Sequence, residues 1–184
     1  VKFVMQRYYK TLLSLIDRVD PDRVVEAGCG EGFICKLVED ARNGVEISGF
    51  DKESTYLSYA RENNAGDNIQ YYEDDVYTFD ADADCILCLQ VLEHLESYHD
   101  ALSNLASQAD PYIILSVPRE PWFRLANIAR FTYLSRLGNT PGHVNNWTKT
   151  GFASVVGEHM DVKDVETSTL WTFVLAEAPE TTSQ

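Results

Sequence analysis

The chain has 184 residues and a formal net charge of −14. This length predicts one domain that can bury a core without disulfides. Basic patches supply most of the affinity for nucleic acids, so such an acidic chain argues against general nucleic-acid binding. No apolar run approaches the ~20 residues that a membrane-spanning helix needs, which argues against a membrane protein.

The four cysteines predict buried, reduced thiols. Cys85 and Cys88 have the spacing of metal ligands, but they fall in a predicted strand, where residues three apart face opposite sides. No second pair accompanies them at zinc spacing, so they give no metal site. Because no charged-then-apolar leader opens the chain, we expect a cytoplasmic protein.

Apolar periodicity predicts an N-terminal helix over 1–20, followed by strands that alternate with helices. The predicted strands are 23–29, 45–51, 69–73, 84–90 and 112–117, and the predicted helices are 31–42, 54–63, 97–108, 121–135 and 148–158. Such alternation predicts a parallel sheet with right-handed crossovers. The last two predicted strands are 161–168 and 171–178. They follow each other closely in the sequence, which predicts an antiparallel hairpin. Residues 180–184 are expected to form a flexible tail.

The most informative segment joins the first strand to its helix. Residues 24–32 read Val-Val-Glu-Ala-Gly-Cys-Gly-Glu-Gly. The alternating glycines permit positive φ and close backbone approach, and the amides that converge at the helix N-terminus can hold the polar part of a nucleotide-like ligand. A dinucleotide site favours a further glycine at position 33, which here is Phe.

This Glu-x-Gly-x-Gly-x-Gly pattern resembles the first motif of the class I S-adenosylmethionine-dependent methyltransferases. The resemblance extends over nearly the whole chain and implies a single α/β domain over 1–184. Its expected fold is a Rossmann-like, doubly wound, mostly parallel seven-stranded sheet with an antiparallel C-terminal hairpin. The implied cofactor is S-adenosylmethionine, with S-adenosylhomocysteine as its product. Glu26, Gly28, Cys29 and Gly30 are the candidate cofactor-binding residues of this turn.

A carboxylate ends the second predicted strand. Asp51 can accept hydrogen bonds from both hydroxyls of a ribose, because its two oxygens lie side by side. Lys52 follows it and is included in the candidate site. The alternative is that Asp51 only caps the next helix, with Glu53 nearby.

An acidic run follows the third predicted strand. The resemblance implies that a carboxylate here receives the adenine amino group. Asp75 matches that position best, Asp74 is the second choice, and the Val76 amide would flank the adenine. The alternative is a solvated acidic loop.

Residues 91–95 read Val-Leu-Glu-His-Leu, which resembles a sequence of small-molecule methyltransferases of the ubiquinone-pathway type. Gln90 would line the methionine part of the cofactor, and Glu93 and His94 would point to the substrate side. His94 could take a proton from a substrate hydroxyl. Alternatively, Glu93 and His94 only begin the next helix. His143 lies in a long polar loop and is assigned equally to the site and to the surface.

Two enzyme groups that this chain resembles bind a divalent metal through Glu-x-x-Glu-His after the fourth strand: the ubiquinone-pathway O-methyltransferases and the small-RNA 2′-O-methyltransferases. The matching positions here are Gln90, Glu93 and His94, with His143 later in the chain. Gln90 removes one anionic ligand, so we assign no metal and keep metal-assisted O-methylation as an alternative. The RNA alternative also conflicts with the charge.

The methyl acceptor is not determined by the sequence. We expect a small molecule held by the 119–147 segment, which is rich in arginine and aromatic residues. Tyr8 and Tyr9 are candidates for a lid or for packing. The oligomeric state stays open, with a homodimer as one alternative. A non-catalytic S-adenosylmethionine-binding module also remains open, whereas the absence of a Tyr-x-x-x-Lys pair disfavours a nicotinamide-dependent reductase.

Overall fold

A computed structural model describes residues 2–130, 132–133 and 136–179, so the predicted tail lies outside the described residues. Seven strands form one sheet in the order β3-β2-β1-β4-β5-β7-β6. Five are parallel, and β7 runs antiparallel to both β5 and β6. The strands are β1 Arg23–Ala27, β2 Glu46–Asp51, β3 Ile69–Glu73, β4 Ala83–Leu89, β5 Ala109–Pro118, β6 Asp161–Ser168 and β7 Trp171–Glu177. The predicted mostly parallel sheet with its C-terminal hairpin is confirmed.

Helices and a 3₁₀ turn precede and connect the strands. The helices are α1 Lys2–Val19, α2 Phe33–Ala41, α3 Ser54–Asn63, α4 Tyr98–Gln108, α5 Trp122–Ala129 and α6 Lys149–Gly157. The 3₁₀ turn, Leu92–His94, lies between β4 and α4. No helix in the described ranges combines the length and the apolar character needed to cross a membrane.

Buried side chains cover both faces of the sheet, as a doubly wound fold requires. Along β4, Cys85 and Leu87 pack with residues of α1, α2 and α3, whereas Ile86 and Cys88 pack with residues of α4 and α6. Cys85 and Cys88 therefore face opposite sides, as predicted, and all four cysteines are free and buried.

Several predicted boundaries move. β1 ends at Ala27 because the Gly28 and Cys29 amides donate to the Phe50 carbonyl, each at 2.8 Å, and turn the chain away. β5 begins three residues earlier than predicted, and a register shift in its pairing with β4 accommodates Pro111, which has no N–H to donate. The helix predicted over 121–135 ends at Ala129.

Tyr8 is a core residue, which supports packing, one of its two alternatives. Its side chain is 3% exposed. The hydroxyl lies 2.7 Å from Ser116 Oγ, and the ring centroid lies 5.0 Å from that of Trp171 and 4.8 Å from that of Phe173. This hydrogen bond connects α1 to β5 in the middle of the sheet, and burial raises the pKa of the Tyr8 hydroxyl.

Candidate functional site

The carboxyl ends of β1, β2, β3 and β4 meet at one edge of the sheet, where open α/β folds bind their ligands. The glycine turn lies at this edge. Gly28 has φ +73°, and a Cβ there would lie 2.6 Å from Val91 Cγ2, so the position requires glycine. The turn therefore lies directly against the segment that follows β4.

The turn and the end of β2 are joined through Asp51. Asp51 Oδ2 accepts a hydrogen bond from the Gly30 amide, and Oδ1 accepts one from the Glu53 amide, both at 2.9 Å. The N-cap of α3 is Glu53, so the alternative that Asp51 caps this helix is wrong. The carboxylate is instead held between two loops at the edge of the sheet.

A cleft of about 380 Å³ opens at this edge, and we call it the main cleft. Eight of the candidate residues line it. The cleft thus brings together the glycine turn, the end of β2, the acidic segment after β3 and the region after β4. The eight residues are Gly28, Asp51, Lys52, Asp74, Asp75, Val76, Gln90 and His94. Sequence reasoning missed Phe50, Glu53, Tyr56, Tyr77, Val91 and Leu95, which also line it.

The acidic segment after β3 has a fixed backbone. Asp74 Oδ1 accepts a hydrogen bond from the Asp75 amide at 2.8 Å, and Asp75 Oδ1 accepts one from the Tyr77 amide at 3.0 Å. Both carboxylates are partly buried, and Val76 is buried. These hydrogen bonds order the acidic segment at the rim of the main cleft.

A second cleft of about 370 Å³, the glycine-turn cleft, lies under α1 and α2. Glu26, Cys29 and Gly30 line it, and Gly28 and Gln90 line both clefts, so the two clefts adjoin. Sequence reasoning missed several of its lining residues. These are Met5, Phe33, Ile34, Leu89 and Trp171.

Glu26 is an acid with little exposure at the base of the glycine-turn cleft. It is 3% exposed and accepts a hydrogen bond from Cys35 Sγ at 3.0 Å. Burial raises its pKa to about 8, the Cys35 hydrogen bonds oppose this shift, and the nearby Asp51 charge adds to it. Without a cation nearby, Glu26 is thus mainly protonated at neutral pH.

Gln90 joins the two clefts in a left-handed backbone conformation, with φ +61°. Its Nε2 donates to Ser116 Oγ at 3.2 Å, and its Oε1 accepts from Trp171 Nε1 at 2.7 Å. These contacts fix the orientation of the amide. Ser116 and Trp171 lie far along the chain from Gln90, so no local sequence signal could have found them.

The 3₁₀ turn and the 138–147 loop bring Glu93, His94 and His143 together, with one donor atom of each within 4.8 Å of the others. The His94 and His143 ring centroids lie 4.8 Å apart, and His94 Nδ1 lies 3.1 Å from the Gly142 carbonyl oxygen. Burial and the neighbouring His94 lower the pKa of His143. The loop therefore places His143, half-buried, against His94.

The position of Glu93 differs from the expectation that its side chain points to the substrate side. Its side chain is not open to the substrate side but is buried, with 1% exposed. Its Oε2 atom has no hydrogen-bond partner within the described part of the chain, and burial raises the pKa of Glu93 to about 8. Such an unpaired buried oxygen is costly unless a proton or a cation satisfies it.

Asn145 holds the loop on the 3₁₀ turn. Its Nδ2 donates to the Leu92 and Leu95 carbonyls at 3.2 and 2.6 Å, and its amide donates to the Glu93 carbonyl at 3.1 Å. Phe123 of α5 stacks on His143 with centroids 5.9 Å apart. The predicted acceptor-side segment 119–147 therefore contacts the candidate catalytic histidines, in the residues of it that the structure describes.

A model of the methyltransferase domain family matches residues 4–164. The chain belongs to this family. The match includes the glycine turn and the candidate residues of both clefts, and it confirms the predicted family.

Curated relatives of this methyltransferase domain include the ubiquinone biosynthesis O-methyltransferase of Rickettsia bellii (strain OSU 85-389). It is 27% identical over 150 residues, which make up 78% of this chain and 61% of the relative. The relative of Rickettsia conorii is 27% identical over 135 residues. The chain thus spans about three fifths of the length of the first of these relatives.

Solved structures share the fold of the methyltransferase domain. Magnesium protoporphyrin IX methyltransferase from Synechocystis PCC 6803, with bound SAH, superposes with a TM-score of 0.75 at 19% identity, over 97% of this chain and 85% of that one. The methyltransferase bound to the Trm112 activator from Haloferax volcanii gives a TM-score of 0.76 at 13% identity, over 100% of this chain and 94% of that one. At these identities the likeness concerns the fold.

Proposed function

We propose that this chain binds S-adenosylmethionine and transfers its methyl group to a small-molecule acceptor. The observation that carries the proposal is that the glycine turn, Asp51 and the Asp74–Val76 segment line one cleft at the carboxyl edge of the sheet. Its volume of about 380 Å³ lies within the usual range for small-molecule sites, roughly 300–1,000 Å³.

Asp51 is suited to hold the ribose. Each of its oxygens already accepts one backbone hydrogen bond, which fixes the direction of the carboxylate. A carboxylate oxygen has two lone pairs, so each can still accept one hydroxyl. Asp75, with Asp74 as the second choice, would receive the adenine amino group, and the Val76 amide would flank the ring.

The glycine-turn cleft would take the methionine part of the cofactor, with Gln90 where the two clefts meet. Glu26 lines this cleft beside Gly28 and Gly30. The cofactor has a positive ammonium and a positive sulfonium, and a nearby positive charge favours the ionised form of Glu26. Cofactor binding would therefore release the proton that burial holds on this carboxyl.

Methyl transfer needs little from the protein beyond orientation, which can contribute on the order of 7–11 kcal/mol. A base is required when the acceptor is a hydroxyl. His94 is exposed at the cleft, and its Nδ1 faces the Gly142 carbonyl. If Nδ1 carries the proton, Nε2 is left free to accept one from the acceptor.

The acceptor is proposed to be a small molecule with a hydroxyl group, because the relatives are named as ubiquinone biosynthesis O-methyltransferases. The acidic net charge of −14 disfavours nucleic-acid acceptors. Four free, buried cysteines fit a reducing compartment, which supports the cytoplasm as the location.

Metal-assisted O-methylation is the second candidate. Glu93, His94 and His143 place donor atoms within 4.8 Å of one another, and the unpaired Glu93 Oε2 is an atom that a cation would satisfy. These residues therefore fit a divalent ion, which would polarise an acceptor oxygen. If a metal is used, a chelator will abolish methyl transfer and leave S-adenosylhomocysteine binding intact.

The first test is a calorimetric titration with S-adenosylhomocysteine, with NADH as the parallel ligand. We expect binding of the first alone. Absence of that binding would reduce the glycine motif to a structural turn and overturn the proposal.

The second test concerns the reaction. Incubation with labelled S-adenosylmethionine and a panel of phenols and catechols should transfer label, and His94→Ala should lower turnover with S-adenosylhomocysteine affinity nearly unchanged. Full turnover in the variant would remove His94 as the base. Cofactor binding without transfer to any acceptor would favour a non-catalytic binding module.

A further inference from the structure

We propose that His99, Glu158 and His159 form a second metal site, which takes Zn²⁺. They lie outside both clefts: His99 is in the first turn of α4, and Glu158 and His159 follow α6. One donor atom from each lies within 4.8 Å of the others. The three residues thus join two elements that are far apart in the chain.

The orientation of His159 is already that of a metal ligand. Ser103 Oγ donates its hydrogen to the His99 carbonyl at 2.9 Å, so it must accept from His159 Nδ1, 3.1 Å away. His159 therefore carries its proton on Nδ1, and the lone pair on Nε2 points to His99. Zinc-bound histidines are usually held in this way, by an acceptor on the nitrogen that does not bind the metal.

The two imidazole nitrogens are close enough to share one ion. His99 Nδ1 lies 2.9 Å from His159 Nε2, so a single proton bridges two nitrogen atoms. On a tetrahedral Zn²⁺ with bonds of about 2.0–2.1 Å, two nitrogen ligands lie about 3.3 Å apart. To exchange the proton for the ion, the two nitrogen atoms thus need to move apart by only a few tenths of an ångström.

Glu158 supplies the third ligand. Its Oε2 lies 4.0 Å from His99 Nδ1, and the side chains of His99 and Glu158 are 50% and 60% exposed. They are free to adjust and leave an entry path from solvent. Two imidazoles and one carboxylate leave a fourth position for water, which is a known zinc arrangement. Mg²⁺ and Ca²⁺ prefer sites made of oxygen atoms.

Zn²⁺ at this site would stabilise the fold. Tyr98, next to His99, packs on Trp147 with ring centroids 5.2 Å apart, and Trp147 precedes α6. Zn²⁺ would therefore add a metal-mediated connection between α4 and the α6 region. Because the site exists only when both elements are folded, binding should raise the unfolding temperature.

The test uses the His94→Ala, His143→Ala double variant, in which the other histidine cluster cannot bind metal. Calorimetry should give one Zn²⁺ per chain and no heat with Mg²⁺. Adding His159→Ala or His99→Ala to this background should weaken Zn²⁺ binding by at least about 10-fold, since even indirect partners of a ligand contribute that much.

Thermal unfolding separates loss of the site from loss of the fold. The His99 side chain is half exposed, so His99→Ala should leave the metal-free unfolding temperature nearly unchanged while removing its increase with Zn²⁺. Absence of Zn²⁺ binding in the double variant, or equal affinity after either further substitution, would overturn the proposal. Neither result would affect S-adenosylhomocysteine binding, which tests the proposed function separately.

Discussion

At the residue scale, the Asp51 carboxylate is oriented before any ligand binds, through the Gly30 and Glu53 amides. Asp51→Ala should lower the affinity for S-adenosylhomocysteine by at least about 10-fold. The reason is the loss of one or two hydrogen bonds to a charged group, each of which contributes ~1.5–3 kcal/mol. Isothermal titration calorimetry measures the change directly.

Glu62→Ala is the matched control for Asp51→Ala. It removes one carboxylate from an exposed position on α3, away from the cleft, so it reproduces the change in net charge alone. We expect its affinity to equal that of the unsubstituted protein. Equal affinity in the Asp51 variant would remove Asp51 from the site.

The buried carboxyl of Glu26 makes stability depend on pH. Burial raises its pKa from 4.5 to about 8, so between these values the folded state binds more protons than the unfolded state. The stabilisation that Glu26 contributes to the folded state is therefore fully present below pH 4.5 and is lost as pH rises through about 8.

Replacing Glu26 by Gln tests this dependence. As pH rises from 5 to 8 without cofactor, the unsubstituted protein should lose a few kcal/mol of unfolding free energy relative to Glu26→Gln, which cannot ionise. Urea unfolding at both pH values gives the difference. Because Glu93 is present in both proteins, its own titration cancels. If the unfolding free energies of the two proteins change in parallel with pH, Glu26 is ionised throughout this range.

At the element scale, one side chain fixes the 138–147 loop on the 3₁₀ turn. Asn145→Ala removes the hydrogen bonds from Nδ2 to the Leu92 and Leu95 carbonyls. We expect a loss of about 1–3 kcal/mol of unfolding free energy, because these carbonyls lose their partner. Turnover should fall as well, since the loop positions His143, while S-adenosylhomocysteine affinity stays nearly unchanged.

Asn63→Ala is the control, because it removes an exposed amide at the end of α3. Urea unfolding and single-turnover methyl transfer are compared for both variants. Unchanged turnover in Asn145→Ala would mean that the loop takes no part in the reaction.

At the scale of the whole molecule, the charge of −14 should make the fold sensitive to salt. Self-repulsion destabilises a highly charged compact state, and the screening length falls from about 30 Å at 0.01 M to about 8 Å at 0.15 M. The unfolding temperature should therefore rise over this range of NaCl concentration. Differential scanning calorimetry measures the rise.

A variant with Glu62→Lys and Asp67→Lys, two exposed positions, reduces the negative charge and should show a smaller rise. If the unfolding temperature rises equally with NaCl in both proteins, the effect is due to specific ion binding instead of screening.

The sequence by itself determined the elements whose signals are local. Thr148 caps α6 by accepting a hydrogen bond from the Gly151 amide, and Trp147 packs on Phe152 with ring centroids 5.5 Å apart, an arrangement typical of an N-cap with a hydrophobic staple. The glycine turn and the strand-end carboxylates were found for the same reason: parallel strands bring their carboxyl ends to one edge, so their loops meet whatever the details of packing.

Only the tertiary structure decided which side chains are buried and which are paired across the sheet. Tyr8 became a core residue through Ser116, Trp171 fixed the Gln90 amide from 81 residues away, and Glu93 was buried by the segment around it. Periodicity describes which face of one element is apolar. It carries no information about the distant element that covers that face, because such contacts arise only when the sheet is assembled and both faces are packed.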